Sequence, residues 1–205
     1  QESRGLGDVY KRQVRKIPLI TPIALSSVPN HESIKSDLMD LINSCDARRI
    51  VDENCNTLDI TRCDYDMEIP HEDFVDNPRP WVDYLRPHLV PVIQEIYDQL
   101  GFDTLQVHKI WFQQYDTESI HGWHVHTYAQ WTSVYYLDLP DESPRTEIIN
   151  PFTQNDIQTL EIKEGDVVMF PSYVIHQAPR NKGTKTKTII SWNSCADIKP
   201  GYEVQ

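Results

Sequence analysis

The stretches TLQVHKIWFQQY (residues 104–115) and TSVYYLDLP (132–140) decide the fold. Both are dense in β-branched and aromatic residues, and Pro140 stops the second, so each is predicted as a strand, over Leu105–Tyr115 and Thr132–Leu139. Further strands are predicted over Gln158–Ile162, Val167–Phe170 and Thr186–Trp192, with turns at Glu164-Gly165 and Asn181-Lys182-Gly183. A short strand is predicted to begin at His124 and run to Thr127. The segments 134–139 and 188–192 carry apolar residues at both parities, so both sheet faces need cover. Upstream the pattern changes. Ile34, Leu38, Leu41 and Ile42 form one stripe of a helix over Asn30–Cys45, which Asn30 or Ser33 would cap. Trp81, Leu85, Leu89, Val92, Ile93 and Ile96 form another over Trp81–Leu100, with Gly101 as its stop and Pro87 and Pro91 expected to break or delay its first part. Ile17–Leu25, punctuated by two prolines, reads as an edge strand. Residues 46–79 read as loop, with one short strand near Leu58–Ile60. Helices first and strands after mean α+β, and many short strands mean a sandwich or jelly roll whose two helices cover one sheet.

The 205 residues suit one domain. The arm Gln1–Gln13 (QESRGLGDVYKRQ) reads as a non-native or disordered leader, leaving residues 14–205 as the domain. The formal net charge of −12 repels phosphate backbones, so nucleic acid is not expected as a partner. No apolar run reaches the ~20 residues of a membrane span, and no export signal is read, so a cytoplasmic location is expected. Cys45, Cys55, Cys63 and Cys195 contain no C-x-x-C pair and are expected to be reduced thiols.

Three of the eight histidines fall in HGWHVH (121–126). Strand residues two apart point the same way, so His124 and His126 would share a face and grip one metal ion, with His121 out of register in the preceding loop. Two ligands hold a metal weakly, and a third should come from a distant strand. His176 follows GDVVMFP (165–171), a turn, a strand and a stop, and is the best candidate.

The stretches HGWHVHTYAQWTSVYYLDLP (121–140), GDVVMFPSYVIHQAPR (165–180) and KTIISWN (187–193) together resemble the 2-oxoglutarate- and Fe(II)-dependent oxygenases, in particular the small prolyl-hydroxylase-like branch found in phages and marine bacteria. The resemblance covers about residues 105–193 and implies a double-stranded β-helix, a jelly-roll relative of the cupins. It implies Fe(II) held by His124, His126 and His176, with His126 standing where the family has a carboxylate. It implies 2-oxoglutarate as co-substrate, its far carboxylate met by Lys187, where the family more often has Arg, with Lys185 as understudy. Tyr136 and Tyr115 match family positions that complete the pocket, and Ser191 and Asn193 share the parity of Lys187. With O2, such a site would hydroxylate a C–H bond of a prolyl-type protein substrate or a small molecule and release succinate and CO2. Trp123 and Trp131 flank the motif and could wall the substrate side, though packing suits either.

Three other readings use the same residues. A three-His cupin-type dioxygenase would need no 2-oxoglutarate, and so no carboxylate clamp at Lys187. A non-catalytic jelly-roll binding module would keep only the scaffold. A zinc hydrolase would need a carboxylate base beside the metal, and none stands there.

Overall fold

The computed structural model describes residues 21–65 and 79–198. The arm at residues 1–13, the start of the Ile17–Leu25 strand and His71 lie outside them. In chain order the elements are β1 (Ala24–Ser27), α1 (His31–Ser44), β2 (Arg48–Val51), β3 (Leu58–Cys63), α2 (Pro80–Gln99), β4 (Phe102–Tyr115), β5 (Ile120–His124), β6 (Trp131–Asp138), β7 (Glu147–Ile149), β8 (Ile157–Thr159), β9 (Asp166–Pro171), β10 (His176–Ala178) and β11 (Lys187–Ile198). The strands form one curled, antiparallel sheet in the order β1-β9-β6-β11-β4-β3-β5-β10-β7-β8, with β2 paired to β3 at its side. This is the expected jelly-roll architecture. Among the described residues no helix is long and apolar enough to cross a membrane.

Strand alternation sorts the long strands into two cores. Phe112, Tyr135, Leu137, Val167, Met169, Ile190 and Trp192 face outward and meet Ile34, Leu38, Ile42, Leu85, Leu89 and Ile93 of the two helices. Their neighbours Trp111, Tyr115, Val134, Tyr136, Val168, Phe170 and Ile189 face the barrel interior. The helices therefore cover the apolar outer face, as the double-sided pattern of β6 and β11 requires.

Both helices form where their stripes predict. Asn30 occupies the α1 N-cap without a side-chain bond of its own; its amide instead reaches His88 Nδ1 at 2.7 Å, and Ser33 Oγ donates to Asn30 O at 2.8 Å. Lys35 Nζ donates to Asp138 (2.8 Å) and Glu164 (2.7 Å), tying α1 to the sheet. The expected break in α2 does not occur: Pro87 and Pro91 lie inside an unbroken helix. Four apart, both sit on its exposed side, so the carbonyls they leave unbonded face water.

β2 lies in the stretch read as loop, and no strand was predicted where β7 forms. β2 pairs with β3 alone and has no fully buried residue, so it lacks the apolar alternation that announces a strand. β8 is three residues long, and the predicted continuation to Ile162 leaves the sheet.

A buried carboxylate joins the end of β3 to the start of α2. Asp64, 3% exposed, accepts from Phe112 N–H (2.8 Å), Arg79 Nε (2.9 Å) and Trp81 Nε1 (3.2 Å). Arg79 also donates to the carbonyl of Ile110. Burial pushes the Asp64 carboxyl upward, and the Arg79 guanidinium opposes that shift.

Gly165, in the turn before β9, has φ +86°, and a Cβ there would lie 3.0 Å from the His31 ring. Its carbonyl accepts from Val28 N–H at 2.9 Å, so the turn holds β1 in place. Gly165→Ala is expected to lower stability by about 1–2 kcal/mol, the cost of an L side chain in left-handed backbone, read as a shifted urea midpoint with an unchanged slope.

Candidate active site

His124 ends β5, His176 opens β10, and the two are register partners across the sheet. His126 lies two residues past the end of β5, with its N–H bonded to Ser172 O at 3.1 Å. This corrects the expected strand over His124–Thr127: the pair converges because the chain turns over Ser172, not through strand alternation. His121, expected in a loop, belongs to β5, opposite Leu58 and Ala178. Gly122 permits this, since its N–H donates to Thr57 O at 2.6 Å and a Cβ there would clash with the same residue.

The three predicted residues do come together. One ring nitrogen from each of His124, His126 and His176 lies within 4.8 Å of the others, a grouping that could hold a metal ion. Two of the rings are tied by their other nitrogen. His124 Nδ1 bonds Gly122 O at 2.7 Å, and His176 Nδ1 bonds Val174 O at 2.9 Å. Each carbonyl demands Nδ1–H, which leaves Nε2 bare as the ligand atom. Desolvation lowers all three rings, His126 to about 4 and His176 to about 3, so at neutral pH they are uncharged and competent to bind metal. A second grouping, His31, Glu32 and Glu164, is engaged otherwise. His31 Nδ1 bonds the Tyr135 hydroxyl at 2.7 Å, and Glu164 holds Lys35.

The rings stand between two spaces. The outer cavity, about 630 Å³, is lined by Ile60, Tyr65, Lys109, Trp111, Val125 and Tyr128 among others, besides His121, His124 and His126. The inner one, about 30 Å³, is bounded by Tyr115, Thr146, His176, Ile189 and Ser191 on the far side of the same rings. Trp111 and Gln113 border both. The Trp111 ring stacks on His126 with centroids 6.0 Å apart and meets Tyr65 edge-on at 4.9 Å. Sequence reasoning missed these two residues, although their parity on β4 matches that of Tyr115. Trp131, offered as a substrate wall, packs on Phe102 in the outer core instead. Trp123 is 39% exposed, and neither cavity is lined by it.

His121 was also missed. Its ring lies flat on that of His124, with centroids 3.7 Å apart and planes 10° apart. Desolvation and the neighbouring histidines push it well below its ordinary range.

Lys187 is 1% exposed. Its ammonium lies 4.8 Å from the Tyr115 ring centroid and donates to Pro144 O at 3.3 Å. No carboxylate among the described residues pairs with it, and Lys187 does not line the inner cavity, which Tyr115 and Thr146 bound. Burial, with the Arg145 guanidinium nearby, pulls it down to about 8. The Tyr136 hydroxyl bonds Thr146 Oγ1 at 2.7 Å. Lys185, the understudy, lies before β11 in an exposed turn that Glu142 holds.

Residues 109–193, which contain the four clustered histidines, Trp111, Gln113, Tyr115, Tyr136 and Lys187, match the model of a 2OG-Fe(II) oxygenase family. Over that stretch the chain is similar to the 2OG-Fe(II) oxygenases. Oxygenases of this family use Fe(II), 2-oxoglutarate and O2, and the donor set fits: three neutral imidazoles, two with a fixed free nitrogen, beside a buried cation. Solved structures agree on the oxygenase fold. A 2OG-Fe(II) oxygenase-family oxidoreductase from Burkholderia pseudomallei is similar at TM-score 0.65 and 12% identity, over 84% of each chain. A prolyl-4-hydroxylase from Pseudomonas putida is similar at 0.54 and 13%, over 83% of this chain and 91% of that one. HygX from Streptomyces hygroscopicus, solved with nickel, 2-oxoglutarate and hygromycin B, is similar at 0.58 and 12%, over 85% and 82%. A comparison of the sequence with curated proteins returns no match.

Proposed function

We propose that this oxygenase is a hydroxylase: it converts a substrate C–H bond, O2 and 2-oxoglutarate into C–OH, succinate and CO2. The observation that carries this is the pairing of two features in one barrel, the convergent His124, His126 and His176 rings and the buried Lys187, which no carboxylate among the described residues pairs. A three-His dioxygenase without 2-oxoglutarate gives no reason to bury a lysine at a desolvation cost.

In this reading His124 and His176 present Nε2 to iron, oriented by the carbonyls of Gly122 and Val174. Bound Fe(II), with 2-oxoglutarate and O2, supplies the oxidising chemistry. Lys187 attracts the far carboxylate of 2-oxoglutarate, and Tyr136, through Thr146, with Tyr115 shapes the floor that receives it. The inner space of about 30 Å³ is roughly that of one water molecule, so Tyr115, Thr146 or Ile189 must shift to admit the co-substrate. The outer cavity takes the prime substrate against Trp111 and Tyr65, and its volume suits a small molecule or one side chain of a protein. A prolyl side chain remains the first substrate to try.

Anaerobic titration of the Fe(II)-loaded protein with 2-oxoglutarate tests the reading. A saturable charge-transfer band in the visible is the expected result, because it requires both iron and bidentate co-substrate. Iron bound without such a band would favour the three-His dioxygenase, and no bound iron would favour a binding module.

A further inference from the structure

Two of the three rings have their Nδ1 fixed by a backbone carbonyl, and among the described residues no backbone carbonyl does this for His126. Its N–H is equally needed: a ligating imidazole is oriented, and its basicity raised, by whatever accepts from its second nitrogen. The group nearest that role is Asn193, near the middle of β11. Asn193 lines the outer cavity with His126. Its amide lies close enough to the ring to oppose part of the desolvation there. Its Oδ1 is buried and has no hydrogen-bond partner of good geometry among the described residues, an uncommon condition for a side-chain oxygen that burial has stripped of water. The strand is also adapted at this point. β11 keeps its register with β6 through Asn193 and Ser194, but its pairing with β4 slips between the same two residues. Such a slip re-aims the side chain beside it.

The geometry points to Asn193 as the positioning residue of His126, its Oδ1 accepting Nδ1–H so that Nε2 turns toward the metal. This inference rests on the three rings being the metal set. All three ligands then share one arrangement, two held by the chain's own carbonyls and the third by a side-chain carbonyl from a neighbouring strand. It also assigns work to an amide that would otherwise be buried unsatisfied.

The test uses the full chain, cobalt(II) as the probe metal, and Asn193→Ala, Asn193→Asp and His176→Ala beside wild type. Long-range proton–nitrogen NMR of the metal-free protein should find His126 as the Nδ1–H form in wild type and Asn193→Asp, and shifted toward Nε2–H in Asn193→Ala. Cobalt affinity should fall about 10- to 100-fold in Asn193→Ala, the usual effect of losing such a partner, and recover in Asn193→Asp. A role in packing alone would lower the apo unfolding temperature without moving the tautomer. Wild-type cobalt affinity in Asn193→Ala, or an unchanged His126 tautomer, overturns the inference while His176→Ala still loses cobalt. Retention of cobalt by His176→Ala overturns the three-ring reading and this inference together. Asn193→Ser serves the same comparison should the alanine variant not fold.

Discussion

His176→Ala is expected to lose stoichiometric iron while keeping the fold. Structural zinc sites are worth about 10–16 kcal/mol over four ligands, so one imidazole accounts for roughly 3–4 kcal/mol, or about two to three orders of magnitude in affinity. Iron(II) stands low in the affinity order of divalent metals and has less to spare than zinc. The fold should survive because His176 opens a three-residue strand whose pairing is made by backbone, and among the described residues its side chain bonds only the carbonyl of Val174. Acid response supplies an independent readout. Burial holds His176 at about 3 in the folded chain, against ~6.5 unfolded, so the unfolded state takes up more protons across that window. The wild-type apoprotein therefore loses stability as pH falls from 6.5 toward 3, and His176→Ala should lose less. Iron analysis after desalting, with urea unfolding at pH 7 and pH 5, decides the matter. Retained stoichiometric iron would place the third ligand elsewhere.

Lys187→Met is expected to weaken one property and strengthen another. The 2-oxoglutarate dissociation constant should rise by about one to two orders of magnitude, the scale of one lost charged contact. The apoprotein should become more stable at pH 7, by on the order of 1–3 kcal/mol, because a buried cation with no carboxylate partner among the described residues gives way to an apolar chain of similar length. The pH dependence carries the signature. Lys187 titrates near 8 when folded and near ~10.4 when unfolded. Its destabilising effect is thus fully present below pH 8 and is relieved between there and about 10.4, where the unfolded state holds the extra proton. Wild-type apoprotein gains stability over that range from this residue, and the methionine variant does not. Co-substrate binding to wild type should weaken as pH rises past 8. A variant less stable than wild type with an unchanged dissociation constant would remove Lys187 from the site.

Much of this was legible because it is written in periodicity. The stripes of α1 and α2 and the double-sided runs of β6 and β11 fix which surfaces must meet, and the two cores follow from them. His124, His126 and His176 were found for a partly wrong reason. Alternation within a strand suggested a shared face for the first two, whereas the chain leaves the sheet after His124 and is carried back by the His126–Ser172 bond. That contact is between residues distant in sequence, and no local pattern encodes it. His121 was set aside by the same argument, since the pairing of β5 with β3 depends on the close approach of Gly122 to Thr57. Parity pointed Lys187, Ser191 and Asn193 inward, but not that Lys187 would be enclosed or that Asn193 would stand beside His126. Those are facts of neighbouring strands. Trp111 and Gln113 were available to the same parity argument through Tyr115 on β4.

The Asp64–Arg79 ion pair, 2.7 Å between Arg79 Nη2 and Asp64 Oδ2, bears on how such a chain can diversify. The pair joins positions 15 residues apart in the sequence, and Tyr65, next to Asp64, borders the outer cavity. The span of sequence between two positions pinned in this way can change in length for a small entropic cost, since doubling a loop adds only about 0.6 kcal/mol. Its composition can therefore drift, or be exchanged between relatives, while the staple of Asp64, Arg79 and Trp81 keeps β3, α2 and β4 in register. Sequence between pinned ends can be rewritten without renegotiating the barrel that holds the His124, His126 and His176 rings.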